Sequence, residues 1–541
     1  MKKHIILLTI LISAIGVTAQ TSRNDTINRM VLVESTYNPI IAGAVKRNFI
    51  PGEMEPSMRK ETIVYADESM PISRFARIPH TVQGATIAHK TKRPGYLHLG
   101  FGNYNNINGL GAYSCQFKER HALVMNAHID GWSGNLQYDD KNWWHSNLHD
   151  IGLNVDYRLL LGKAKLTAGI NGAYYDYNYL RSLHFTGDSD RQQANHFGGN
   201  LSIDGIIKEH YRYHAAAQYV FLGRNTYFTR KQRHSQGHLH TEASVGIDLY
   251  EYGIASLLIH SDALIYQGVD HRNYFAIGIA PTWEYRYEDL HFTAGANLDF
   301  QGKKYGPIMQ ASPACKASYV PSKAFSIAFI LDGGRQIHNF ASLNTLSPYW
   351  ASYKPLTSSY TYLNACLQGN LRIIEGMHLH LGGGYRIDNN FLFESTLDTL
   401  GVTYTGLSTH NAKIAYANAS ATYTYKDYMS VTAEASYNHW MVNGNRNILT
   451  RAPQIDADLN ARVRIIHGLY IHTDCRFVMF TAVEQQRERA IIDWSLGAHY
   501  AMNEKLSFFL DGHNLLNRRY ERYTGYPNQG FNAILGAAFK F

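Results

Sequence analysis

Apolar side chains that alternate strictly with polar ones over ten residues or more settle as β-strands with one face in an apolar medium and the other face wet. Within 150–159 the apolar set is Ile151, Leu153, Val155, Tyr157 and Leu159, opposed by Asp150, Gly152, Asn154, Asp156 and Arg158. Leu290, Phe292, Ala294, Ala296, Leu298 and Phe300 likewise oppose His291, Thr293, Gly295, Asn297 and Asp299. A third run sets Ile455, Leu459 and Val463 against Asp456, Asp458, Asn460, Arg462 and Arg464. Soluble sandwiches also alternate, but their strands run to about 5–6 residues, and their cores do not tolerate a charged face. Runs of this length match the ~9–11 residues with which a tilted strand crosses a bilayer. The pattern predicts an all-β fold, a transmembrane antiparallel β-barrel with a wet lumen.

Connections between the runs alternate in length. Short ones fall at 118–120, 162–164, 251–253, 287–289, 375–376, 426–427, 467–468 and 503–505, and long polar ones at 130–147, 181–193, 222–236 and 339–355. Tight turns on the periplasmic rim and long loops outside produce this asymmetry, and the runs between residues 95 and 541 come to about 22 strands. An even number returns the C-terminus to the side on which the wall began. The expected division is therefore a barrel over 94–541 preceded by other segments.

The first of these, 1–19, reads as a secretion signal: Lys2 and Lys3, an apolar run from Ile5, then Val17-Thr18-Ala19 before Gln20. Segment 20–93 contains Pro39, Pro51, Pro56, Pro71 and Pro79 and reads as an extended N-terminal periplasmic or lumenal arm. Composition agrees with a wall that is half lipid-facing, since 45% hydrophobic content coexists with 39 Tyr, 44 Gly and only 14 Pro. The net charge of +8 is spread along the chain and makes no case for nucleic acid. Cys115, Cys315, Cys366 and Cys475 fall in separate runs with no paired spacing, so isolated thiols are expected rather than a disulfide framework. The sequence contains no nucleophile elbow, zinc-protease motif, phosphate loop or dinucleotide fingerprint, and no enzyme is expected.

At the C-terminus, Asp511-Gly512-His513-Asn514-Leu515-Leu516-Asn517-Arg518-Arg519-Tyr520 is followed by Gly525-Tyr526-Pro527 and by a closing run whose outer face is Phe531, Ala533, Leu535, Ala537, Phe539 and Phe541. Over these last residues the chain resembles the barrel domain of TonB-dependent outer-membrane receptors. The resemblance implies an outer-membrane assembly signal carried by Phe531, Phe539 and Phe541, and a location in the outer membrane of a Gram-negative bacterium. It also implies a role in solute uptake or passage, and contact with TonB or another periplasmic or outer-membrane protein. Val31-Leu32-Val33-Glu34 resembles the short partner-binding box of that family, and Glu61-Thr62-Ile63-Val64 is a second stretch of the kind; such segments add a strand to a partner's sheet edge. The family's folded plug exceeds what 20–93 can supply. Long loops folded inward, a second polypeptide or the proline-rich arm are then the candidates for filling so wide a lumen.

Within the wall, His238/His240 and His378/His380 each place two rings on one face. Either pair is a polar lumen lining, or it holds a metal or haem iron if a third ligand converges. No catalytic, cofactor-binding or metal residue is assigned on that basis. Asp156 with Arg158 and Asp458 with Arg462 offer lumenal charge pairs, either selecting ions or pinning register. Trp143, Trp144 and Trp350 offer stacking surfaces for a ligand in outer loops, or an interfacial girdle. The alternative to solute passage is a structural or assembly component that binds a protein partner.

Overall fold

The computed structural model describes residues 94–541 apart from 118–119, 139–141, 182–189, 209, 227–231, 269–271, 353–355, 400, 445 and 484–488. Segments 1–19 and 20–93, with Val31, Leu32, Val33 and Glu34, lie outside the described residues. The main sheet contains 24 strand segments. Met309–Pro313 and Cys315–Ser322 form one strand broken at Ala314, both pairing with Leu290–Gln301, and Trp350–Ala351 stands off the wall. The wall is thus a closed antiparallel barrel of 22 strands, the number expected. Gly95–Gly102 closes on Asn532–Lys540 in a register running from Tyr96↔Lys540 to Gly102↔Ile534. Closure pairs both edges of the wall.

Parity follows the alternation. Leu153, Leu459 and Leu535 expose 53%, 44% and 63% of their surface on the outer face, while Asn297 and Asp299 on the lumenal face expose 0% and 1%. That inversion, apolar outside and polar inside, is the arrangement lipid demands of a spanning barrel. The expected short connections lie on one rim. There Gly376 has φ +81°, and a Cβ would stand 2.1 Å from the Thr424 carbonyl oxygen, so a side chain cannot be placed in that turn.

On the opposite rim the strands outrun a bilayer. Met377–Thr399 and Val402–Tyr425 span 23 and 24 residues. Much of what reads as long loop is strand: His121–Gln137 and Trp143–Leu161 extend deep into 130–147, and Tyr211–Thr226 and Gln232–Asp248 into 222–236. Above the bilayer both faces of a hairpin are wet or packed on protein, so alternation fades although pairing continues. The register of the longest hairpin shifts between Asp388 and Phe391, where Asn390 takes φ +56°. A bulge of this kind bends and twists a strand pair, and the outer half of the hairpin beyond it is drawn over the lumen.

Candidate functional site

Segments of the chain meet across the mouth of the barrel at the long-strand rim. Leu180 follows the fifth wall strand and Val402 opens the sixteenth, eleven positions away in a ring of 22. They nevertheless meet: Thr403 N donates to Leu180 O at 3.0 Å, and Arg181 bridges Val402 in antiparallel fashion. Between these two walls lies the loop 338–357. Its helix Phe340–Leu346 is capped by Asn339, whose side-chain oxygen accepts from Ser342 N. An asparagine cap satisfies an otherwise orphaned helix donor, and Phe340 and Leu343 turn inward. Trp350–Ala351 then pairs in parallel with Thr405 and Gly406, and Thr405 N donates to Tyr349 O at 3.0 Å.

Aromatic packing fills the roof. Tyr349 stacks on Tyr526 at 3.6 Å between centroids, and Tyr177, Tyr179, Tyr404 and Trp144 surround them, all buried. Such contacts add about 0.5–1.5 kcal/mol per pair to the area they bury. Burial pushes the Tyr179, Tyr349 and Tyr526 hydroxyls well above the ordinary tyrosine value, so they stay neutral. Tyr526 donates to Thr403 O, Trp144 Nε1 to Tyr179 O at 3.1 Å, and Thr524 Oγ1 to Glu394 Oε2 at 2.7 Å. Burial also holds the His338 imidazole down at about 4, neutral, with Nε2 2.6 Å from Ser359 Oγ.

One cation anchors the loop from the wall. Arg224, 1% exposed, donates from Nη2 to Pro348 O at 3.2 Å and Trp350 O at 3.0 Å, and its guanidinium sits 4.4 Å from the centroid of the Trp350 ring. A planar fork able to bond carbonyls and stack on indole suits this position better than an ammonium. Arg224, Tyr177, Tyr179 and Tyr349 were not singled out from the sequence. The available signal was the alternation of Tyr175, Tyr177 and Tyr179 at lumenal parity, just before the polar connection expected at 181–193.

The residues that were singled out have mixed outcomes. Trp144 and Trp350 are buried in the roof and offer no stacking surface or girdle, whereas Trp143 is exposed. Asp458 lies 3.9 Å from Arg476, which bonds Asp456 at 2.7 Å, while Arg462 stacks on Tyr470; Asp156 accepts from Asn154. Neighbours on the adjacent strand thus meet Asp456, Asp458 and Arg462, whereas Asp156 is met by Asn154 two positions away on its own strand. Asn514 and Asn517 fasten the last long loop, Asn514 accepting from Arg518 N and Asn517 from Phe531 N, and that loop delivers Tyr526 to the roof. The final strand is Asn532–Lys540, so Phe531 stands just before it; Phe539 and Phe541 face outward. All four cysteines are free.

Of the two His-x-His pairs, His238/His240 gathers a third ligand-type group close by. His238 Nε2 and His240 Nδ1 both lie 2.8 Å from Oδ1 of Asp262 on the adjacent strand Ile254–Gln267. These form the one group of three or more His, Cys, Asp or Glu among the described residues whose donor atoms all fall within 4.8 Å. His380 instead bonds Asn370 through Nδ1 at 2.8 Å.

No family model matches the chain, and no curated protein matches its sequence. Solved structures match the architecture. The FrpB iron transporter from Neisseria meningitidis superposes with a TM-score of 0.63 at 12% identity, covering 83% of this chain and 82% of that one. The ferric-catecholate import receptor Fiu from Escherichia coli K12 gives 0.59 at 10% identity, covering 83% of each chain. The siderophore receptor PiuA from Acinetobacter baumannii gives 0.60 at 9% identity, covering 84% and 82%. At these identities the likeness is one of fold: a 22-stranded antiparallel barrel resembling those of TonB-dependent outer-membrane receptors.

Proposed function

We propose that this chain is a non-enzymatic outer-membrane barrel that takes part in uptake or passage of a solute, with its outer mouth gated by its own loops. The observation that carries this reading is the backbone contact between Leu180 and Thr403 across the full ring, with the loop 338–357 held between the walls. A barrel serving only as a wall-mounted scaffold has no use for a wide polar lumen and a fitted roof. Energised exchange would enter from the other side, where Val31, Leu32, Val33 and Glu34 can add a strand to TonB or another periplasmic protein. The neighbouring structures carry different cargoes by name, and the solute here is left as a class: one small enough for a barrel of this size and polar enough for a lumen of Asn, Asp, Arg and His.

The test is deletion of the gene followed by growth under a series of single limiting nutrients, with complementation by the intact chain and by a chain lacking residues 31–34. A nutrient-specific defect restored by the intact chain supports solute passage, and failure of the shortened chain to restore it supports energised transport. Equal growth under every limitation, with stable co-purification of one protein, overturns this reading in favour of a partner-binding component.

A further inference from the structure

The wall beneath the roof carries a continuous ribbon of imidazoles and carboxylates. Asp204 lies 2.6 Å from His214, His214 lies 2.8 Å from Glu242, and Glu242 stands 3.7 Å from His240 Nε2. His240 and His238 then converge on Asp262 Oδ1. The period of two places His238, His240 and Glu242 on the lumenal face of one strand, and the register His240↔Asp262 brings the carboxylate directly opposite. Two imidazoles and a carboxylate, from two paired strands of a rigid wall, form a donor set suited to first-row divalent ions. Ligands of an ion bound at about 2.0–2.2 Å stand roughly 2.8–3.1 Å apart at right angles and farther apart in a tetrahedron, so the 2.8 Å hydrogen-bonded spacings need open by only some tenths of an ångström to admit one.

The outer partners are in place as well. Glu242 faces the second nitrogen of His240, the position from which a carboxylate orients a ligating ring. His238 differs. Asn339 Oδ1 is held by Ser342 N at 2.7 Å, so its amide Nδ2 must be the group that faces His238 Nδ1 at 2.8 Å. Nδ1 therefore accepts, and Nε2 carries the proton that bridges to Asp262. An ion taking Nε2 requires the neutral ring to carry its proton on Nδ1 instead, and a protonated Nδ1 faces the amide N–H groups of Asn339. Asn339 must then turn, giving up either its bond to His238 or its cap on the helix Phe340–Leu346.

We propose that His238, His240 and Asp262 bind a first-row divalent metal ion in the lumen, and that filling this site competes with the Asn339 contact that ties the roof loop to the wall. The ion meets two ring nitrogens and one carboxylate oxygen on the lumenal face of the wall. Its binding displaces the protons that now join the rings to Asp262. The site belongs to the wall itself and does not depend on the chain being a transporter, so metal binding by the isolated protein is separable from any growth phenotype.

The experiment uses the untagged mature chain, folded in detergent micelles as judged by heat-modifiable migration, titrated with Zn²⁺ by calorimetry and with Cu²⁺ by electron paramagnetic resonance. The expected result is one equivalent of tight binding, with nitrogen superhyperfine structure from two imidazoles. Asp262→Asn and His240→Gln should each weaken it by more than about 10-fold, the least that even an outer-sphere partner contributes. The double change His378→Gln, His380→Gln should leave it intact. Asn339→Ser, which keeps a capping oxygen and removes the amide, should tighten it. Binding that is absent in the folded protein, or that is unaffected by Asp262→Asn and His240→Gln, overturns the site. Unchanged affinity in Asn339→Ser overturns the competition.

Discussion

Replacing Arg224 by alanine tests whether the roof is held from the wall. Each of its two carbonyl contacts, to Pro348 and Trp350, is a charge-assisted hydrogen bond of about 1.5–3 kcal/mol. The stack on Trp350 adds roughly 2 kcal/mol in a desolvated setting. Against these stands the desolvation of a fully buried guanidinium, several kcal/mol. The net cost of truncation then falls near about 3 kcal/mol, at the low end for breaking a buried charged contact. That difference raises the population with the loop released about 100-fold. Hydrogen exchange reads it directly, because the amides of Leu343, Ser347 and Trp350 bond within the loop. They should exchange about 100-fold faster in Arg224→Ala, while the wall amides of Met429–Val442 keep their protection. Arg224→Lys should lie between, since an ammonium keeps the charge but not the fork. Equal acceleration throughout the wall would mean that Arg224 holds the barrel together rather than the roof, and no acceleration in the loop would refute the anchoring outright.

Arginine at Leu459, on the lipid face, should cost about 2–4 kcal/mol of folding stability in bilayers, whereas arginine at the lumenal Asn460 should be mild; equal cost at both positions contradicts the parity of the wall. Removing Phe541, or replacing it with Asp, should reduce the folded fraction in the outer membrane, read as heat-modifiable gel migration, and unchanged yield would reduce it to an ordinary wall residue. The roof should also loosen in acid. His338 is held at about 4 in the folded protein against 6.5 when free, so the released loop binds more protons, and docking weakens as pH falls from 6.5 towards 4. Loop amide exchange measured across that interval should show it, and His338→Gln should flatten the dependence.

Parity, strand number and the pairing of first with last strand were legible because lipid enforces period two on every spanning segment. Leu153, Leu298 and Leu459 therefore declare their face locally, without knowledge of any partner. The roof follows different rules. Thr403 meets Leu180 only because a shift near Asn390 bends a hairpin across eleven strands, and neither segment carries a mark of the other. Trp144 and Trp350 look alike in sequence to any girdle or loop tryptophan, and Trp144 is covered by Tyr349 and Tyr526 while Trp350 is covered by Phe340 and Arg224, which their own surroundings in the sequence do not announce. Asp262 shows the same limit at short range. His238 and His240 announce a shared face by spacing alone, but the third group comes from the next strand, and only the register His240↔Asp262 makes it adjacent. The charges show the same limit, since Asp458 has Arg476 opposite it on the next strand, a neighbour that spacing along its own strand does not reveal.

If the chain's own loops close the wide lumen, single-channel conductance in a planar bilayer reads that closure. The mature chain is compared with one in which 339–356 is replaced by a short Gly-Ser linker, both retaining 20–93 and both shown to be folded. A closed or rarely opening trace for the intact chain, with large and steady conductance once the loop is gone, is the predicted result. Indistinguishable traces would contradict it, and would move the closure of the lumen from this loop to another part of the chain or to a separate polypeptide.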